Sequence, residues 1–233
     1  MDEIVSYTLE GSVATIAMDD GKVNALSPAM LAAIDAAFER ARNDAAAVIL
    51  RGRVGTFSAG FDLKVLRGGG VETVEMIVGG FRLAHKILSF PRPVVIACTG
   101  HAVAMGSFLL LCSDHRIGTA GEFRIVANEV AIGLTMPHAA VEICRQRLTP
   151  AAFNRAVILA ETFTPDDAVA AGFLDQVVPM DRLDDVARSA AERFTQLNAE
   201  AHAASKLRAR AQALEAIAAG IEADEAGMRA FLG

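Results

Sequence analysis

No apolar run in this chain approaches the ~18 residues a membrane-spanning helix needs, so the hydrophobic residues, 53% of the sequence, are material for a core. No block of Lys and Arg occurs either, and the net charge is −6. A nucleic-acid partner requires a basic patch, so none is expected. The opening MDEIVSYTLEG carries acids where a signal peptide has a basic region, and the expectation is a cytoplasmic protein with no membrane partner. Cysteine is scarce: Cys98, Cys112 and Cys144 sit among apolar neighbours without C-x-x-C spacing. That pattern points to reduced core residues rather than a disulfide or a metal site. His85, His101 and His138 are scattered without ligand spacing, so no metal is expected. Aromatic residues make up only 6%. The apolar surplus is Ala and short aliphatics, which suits helices packed on a sheet and on other subunits.

At 233 residues the chain suits one large domain, or one domain with a small helical appendage. Ile4–Leu9 and Val13–Met18, parted by Glu10-Gly11-Ser12, read as a hairpin. Ser27-Pro28 is a helix start, Ser as N-cap and Pro at the first helical position. The helix runs to about Arg42 and buries Met30, Leu31, Ile34 and Phe38. Ala47–Leu50 is a strand. The segment Gly55–Lys64 reads as a loop, but it lacks the polarity of an exposed one, so something must cover it. Arg67-Gly68-Gly69-Gly70 is a flexible break before a helix from about Glu72 to Ser89, weakened by Gly79-Gly80. Helices are also expected over Pro137–Leu148 and Pro150–Ala160 and from Thr164-Pro165, with a short strand at Phe173–Val178. From Arg182 onward the pattern is helical and rich in alanine. Strand, strand, helix, then a helical last third gives an α/β (α+β) core with a C-terminal helical layer.

The chain is organised around Cys98–Asp114, CTGHAVAMGSFLLLCSD. A β-branched strand (Val94, Val95, Ile96) leads through Gly100 and Gly106 into a segment apolar on every side, which must be buried. Strand, glycine-bearing turn and helix start direct free backbone N–H groups, and the positive end of a helix dipole, at one place.

Two loops carry a resemblance. Phe57-Ser58-Ala59-Gly60-Phe61-Asp62-Leu63-Lys64 resembles the F-x-A-G-x-D-[LI] loop of the crotonase (enoyl-CoA hydratase/isomerase) superfamily. Gly100–Gly106, closing with Cys112–Arg116, is similar to that family's second loop. Asn24-Ala25-Leu26, Asn128-Glu129 before Gly133, Thr164-Pro165, Ala168–Gly172 and Val177-Val178 follow in the family's order, over roughly residues 4–207. The resemblance implies a crotonase-like spiral of β-β-α turns. Residues 1–180 would form the acyl-CoA-binding core and 181–233 a C-terminal helical oligomerisation region, giving a homotrimer or dimer of trimers. It implies an acyl-CoA thioester as substrate, with coenzyme A part of that substrate and no separate cofactor. The thioester oxygen would be held by the N–H groups of Phe61 and Met105. Ala59, Asp62 and Leu63 fall at the adenine contact and Ala25 near the pantetheine arm. Lys22, Arg53, Lys64 and Arg67 are candidates for the CoA phosphates.

Two departures from the family pattern bear on the reaction. Ala104-Met105 stands where consecutive glycines are usual, and the Met105 side chain is expected to narrow the acyl pocket. Phe108 stands where hydratases carry the first of two catalytic glutamates, on the wall of that pocket. The second is retained as Glu129. One carboxylate suffices to move a double bond from position 3 to position 2, taking a proton from C2 and returning it at C4. The resemblance therefore favours a Δ3,Δ2-enoyl-CoA isomerase with Glu129 as its base, its pKa raised by apolar neighbours. The alternatives are a 2-enoyl-CoA hydratase and a non-catalytic acyl-CoA-binding protein. A serine hydrolase using Ser107 lacks a G-x-S-x-G elbow. His101 and His138 read as hydrogen-bonded structural histidines; they also lie near loops expected to face the cavity, where tuning of Glu129 is the alternative.

Overall fold

A computed structural model describes residues 3–232. The chain opens with the hairpin β1 (Val5–Glu10) and β2 (Val13–Met18), which are antiparallel. Helix α1 (Pro28–Asp44) follows, the Ser27 side chain accepting from the Met30 N–H as the sequence requires of an N-cap. Three turns of strand, strand and helix come next. The first is β3 (Ala47–Arg51), β4 (Gly55–Ser58), short α2 (Leu63–Gly68) and α3 (Gly70–Leu88). The second is β5 (Val94–Cys98), β6 (Gly100–Val103) and α4 (Met105–Leu111). The third is β7 (His115–Thr119), β8 (Ile125–Val126), a 3₁₀ turn at Val130–Ile132 and α5 (His138–Arg145). Helices α6 (Pro150–Leu159) and α7 (Pro165–Ala171), strand β9 (Gln176–Val178), and helices α8 (Met180–Phe194) and α9 (Ala199–Ala230) complete the described chain.

The first strand of each turn joins a six-stranded sheet, β1-β2-β3-β5-β7-β9, parallel beyond the opening hairpin. The second strands form a separate parallel sheet, β4-β6-β8. The segments read as loops at 55–58 and 100–103 are therefore strands. Each has only four residues and pairs with a segment more than 40 residues away, so its period-2 signal is too short to register. The break at Arg67–Gly70 is likewise the junction of two helices, with Gly69 at φ +64° between them.

Apolar runs in the long sheet are continuous because both faces are covered. On β3, Val48 and Leu50 enter the main core while Ala47 and Ile49 face the other side, where α8 places Leu183, Ala187 and Ala190. Every residue of α4 is buried. Helix α9 lies across α3 and α5.

Candidate active site

Asn24 fixes the first loop. It is buried at φ +51°, and its Nδ2 donates to the carbonyls of Met18 (3.0 Å) and Phe57 (3.1 Å). Ser58 Oγ donates to the Asn24 carbonyl at 2.8 Å and accepts from the Gly60 N–H at 3.2 Å. The Gly60 carbonyl then accepts from the Leu26 N–H at 2.8 Å. In a trans peptide C=O and N–H point in opposite directions, so the Phe61 N–H is turned away from Leu26.

The second loop follows the same rule. The Ala104 carbonyl points into α4, accepting from the Ser107 N–H (2.8 Å), the Phe108 N–H (3.2 Å) and Ser107 Oγ (2.7 Å). The Met105 N–H therefore points out of the helix start. Ala104 reaches this geometry at φ +49°, ψ −125°, a conformation that non-glycine residues rarely adopt. The usual glycine of the resemblance has its physical reason here. Among the described residues neither N–H donates to a protein acceptor. The loops touch where the two donors emerge. A Cβ placed on Gly60, itself at φ +88°, would lie 2.9 Å from Ala104 Cβ and 3.3 Å from Met105 N.

Between them opens a cavity of about 290 Å³, lined on this side by Phe61, Val103 and Ala104 and across from them by Asn128, Glu129 and Leu134. Strand β8 sets the position of Glu129. The Val126 carbonyl takes the Ala104 N–H at 2.8 Å, and Glu129 follows three residues later at the entry of the 3₁₀ turn. Its carbonyl accepts from the Leu134 N–H at 2.9 Å, while its side-chain Oε2 is buried with no partner. The residue is 8% exposed, and burial pushes its pKa up to about 7. Asn128 Oδ1 is also buried and unpartnered. A base poised near neutrality, in a cavity lined also by Phe61 and by Ala104, the residue before Met105, is suited to move a proton beside an oxygen that gains charge.

The sequence candidates distribute unevenly. Ala59, Phe61, Leu63 and Glu129 line the cavity. Ala25 is not one of its lining residues; its N–H donates to Asp20 Oδ2 at 3.1 Å. Asp62 is occupied as the N-cap of α2, accepting from the Lys64 N–H at 2.7 Å. Lys22, Lys64 and Arg67 are exposed. Arg53 is held inside the preceding turn, donating to the Lys22 carbonyl at 2.6 Å and pairing with Asp19 at 3.2 Å.

Three expectations are corrected. The Met105 side chain does not narrow the pocket; it is fully buried and turns toward Gly80, where a Cβ would sit 3.7 Å from its Cε. Phe108 does not form the wall, because its ring is stacked behind that of Phe81 at 6.2 Å and only Phe81 reaches the cavity. His101 and His138 do not face Glu129. The first accepts from the Arg124 N–H and packs on Phe123, and the second begins α5, its N–H donating to Asp224. Ser107 has its hydroxyl engaged by its own loop, which leaves the hydrolase reading without a nucleophile.

Gly80 is a site residue that the sequence reading missed. A Cβ there would fall 2.4 Å from the edge of the Phe61 ring, so the bare backbone of α3 is what seats Phe61. The signal was present as an unexplained glycine pair in a helix.

The sequence signature of the enoyl-CoA hydratase/isomerase family matches residues 8–231. A carnitinyl-CoA dehydratase of Salmonella agona is 29% identical over 197 residues, 83% of this chain and 75% of that protein. Among solved structures, a probable enoyl-CoA hydratase of Mycobacterium tuberculosis is 52% identical, covers 99% of both chains and superposes with a TM-score of 0.94. A second structure of that mycobacterial protein, described as an enoyl-CoA isomerase in its apo form, gives 51% and 0.92, again over 99% of each chain. Human mitochondrial Δ3,Δ2-enoyl-CoA isomerase is 25% identical over 99% of this chain and 92% of its own, with a TM-score of 0.92.

Proposed function

The chain belongs to the enoyl-CoA hydratase/isomerase family, and on that premise we propose that it is a Δ3,Δ2-enoyl-CoA isomerase with Glu129 as its single acid-base group. The observation that carries the reading is the unpartnered, buried Glu129 carboxyl, with a pKa near 7, in a cavity that offers no second carboxylate among its described lining residues. Glu129 takes a proton from C2 of a 3-enoyl thioester. The electron pair moves onto the thioester oxygen, where the Phe61 and Met105 N–H groups stabilise the dienolate, each donor worth ~3 kcal/mol in such a site. The protonated Glu129 then delivers the proton to C4, and the double bond rests between C2 and C3. No atom is gained or lost and no water is consumed, which suits a cavity lined largely by apolar side chains such as Phe61, Phe81 and Leu134. In this reading Ala25, Ala59 and Leu63 receive the CoA arm, and Lys22 and Lys64 lie outside the cavity for its phosphates.

A 2-enoyl-CoA hydratase is the second reading, favoured by Asn128. Its unpartnered Oδ1 beside Glu129 could hold a water for addition across the double bond. Turnover of 3-enoyl-CoA and 2-enoyl-CoA measured side by side separates the two. We expect isomerisation to dominate. Efficient hydration of 2-enoyl-CoA with no isomerisation would replace the first reading by the second, and tight binding without turnover of either would leave a passive acyl-CoA binder.

A further inference from the structure

We propose that Asn128 recognises a hydroxyl on C5 of the acyl chain, so that the protein prefers hydroxylated acyl thioesters to plain hydrocarbon ones. The proposal rests on the acyl-CoA reading above and adds a substrate class to it.

Among the described residues lining the catalytic cavity, three have polar side chains: Asn128, Glu129 and Thr135. Thr135 is exposed to solvent and Glu129 is the base. Asn128 has no part in the isomerisation itself, yet it is held firmly in place. Ala127 before it is fully buried, and the Asn128 carbonyl accepts from the Ile132 N–H at 3.2 Å. The side chain is different: Oδ1 is buried without a partner. A buried acceptor left unpaired costs folding free energy, and native structures seldom keep one without a use. A bound group that donates to it recovers that cost. Oδ1 only accepts, so a carbonyl, an ether or a carboxylate on the substrate does not satisfy it. An ammonium would pair with the Glu129 carboxylate and weaken it as a base. The amide N–H groups of coenzyme A belong to the arm, which the acyl-CoA reading places at Ala59 and Leu63. A hydroxyl remains. It donates to Oδ1, and because it also accepts, it suits either end of the side-chain amide. Glu129 has to reach both C2 and C4 of the substrate, so the residue adjoining it meets the next carbon. C5 is also the first carbon that the double-bond shift leaves untouched.

Pentanoyl-CoA and 5-hydroxypentanoyl-CoA have no double bond to move and no hydroxyl at C3 to eliminate. Their dissociation constants, measured by calorimetric titration, therefore report recognition apart from the reaction. The wild type should bind 5-hydroxypentanoyl-CoA about tenfold more tightly than pentanoyl-CoA, the gain of one hydrogen bond to an otherwise unpaired buried group. Asn128→Leu keeps the size of the side chain and removes its polarity. It should reverse the order, because the hydroxyl is then desolvated with nothing to meet it. Asn128→Ala, which adds no bulk, should abolish the preference and serves as the second variant should leucine disturb the turn. Equal or weaker binding of the hydroxylated ligand by the wild type overturns the proposal, and so does a preference that survives in both variants. A preference for 3-hydroxypentanoyl-CoA with none at C5 would assign Asn128 to the water of the hydratase reading and overturn it too. Failure of isomerisation leaves the titration unaffected. Binding of pentanoyl-CoA without a C5 preference overturns this proposal alone, whereas failure of every acyl-CoA to bind removes the acyl-CoA reading with it.

Discussion

The burial that makes Glu129 a base near neutrality also makes its charge unfavourable in the folded state. Its pKa rises from the ordinary 4.5 to about 7 on folding. The native state therefore holds this proton more tightly than the unfolded chain does. Below pH 4.5 the residue is neutral in both states and costs nothing; the penalty grows as pH rises and is complete above pH 7, at about 3 kcal/mol. Glu129→Gln should thus be more stable than wild type in denaturant titrations at pH 8, with the difference gone at pH 4. In the isomerase reading the same variant loses ~10²–10⁴-fold in turnover, and wild-type kcat/KM rises with pH through a midpoint near 7. A stabilised but inactive variant would tie the cost to the chemistry. Equal stability at both pH values would show that Glu129 is not desolvated as described. Ala104 holds a different kind of strain. Its positive φ costs about 1–3 kcal/mol, and Ala104→Gly should release about 1 kcal/mol net of the added freedom of the unfolded chain, raising Tm by a few degrees. The direction of the Met105 N–H is unchanged by that substitution.

At the scale of elements, the site depends on helices that approach strands without side chains between them. Gly106, the second residue of α4, lies directly against β4, where a Cβ would lie 2.5 Å from the Ser58 carbonyl oxygen. Helix α9 is anchored by polar contacts rather than by a continuous apolar stripe. Lys206 Nζ is buried and donates to the carbonyls of Phe90 (2.8 Å) and Arg92 (2.9 Å) and to Asp114 Oδ2 (2.6 Å). Arg210 adds a bond to the Leu88 carbonyl at 2.7 Å and an ion pair with Asp114 at 2.9 Å. Lys206→Met leaves those acceptors short of a donor, and we expect a loss of about 3 kcal/mol in chemical denaturation. Retention of wild-type stability would mean that the clamp contributes little against its own desolvation.

For the molecule as a whole, several large apolar residues remain open: Val54 at 71%, Ile158 at 57%, Leu159 at 69% and Phe231 at 91%. The apolar faces of α5 and α8 are already taken by α9 and the long sheet. Among the surfaces left open, the end of α6 carries Ile158 and Leu159. We expect a homotrimer or a dimer of trimers in light scattering, and Ile158→Glu should shift it toward smaller species. A wild-type monomer at micromolar concentration would count against this.

The amino-acid sequence by itself determined the α/β alternation, the N-caps at Ser27 and Thr164 and the buried α4. These are written locally, in capping residues, apolar periodicity and loop patterns that need no partner to be read. Glu129 was singled out by the family resemblance, and its valine and isoleucine neighbours gave the physical reason for its raised pKa. The second sheet, the seating of Phe61 on Gly80 and the place of Phe108 behind Phe81 were decided by tertiary structure alone. Each depends on which distant backbone or ring comes within van der Waals reach, and short strands and single glycines carry no record of that partner. The same holds for His101 and His138: nearness in the chain to the site's loops did not fix which way β6 and α5 would turn them.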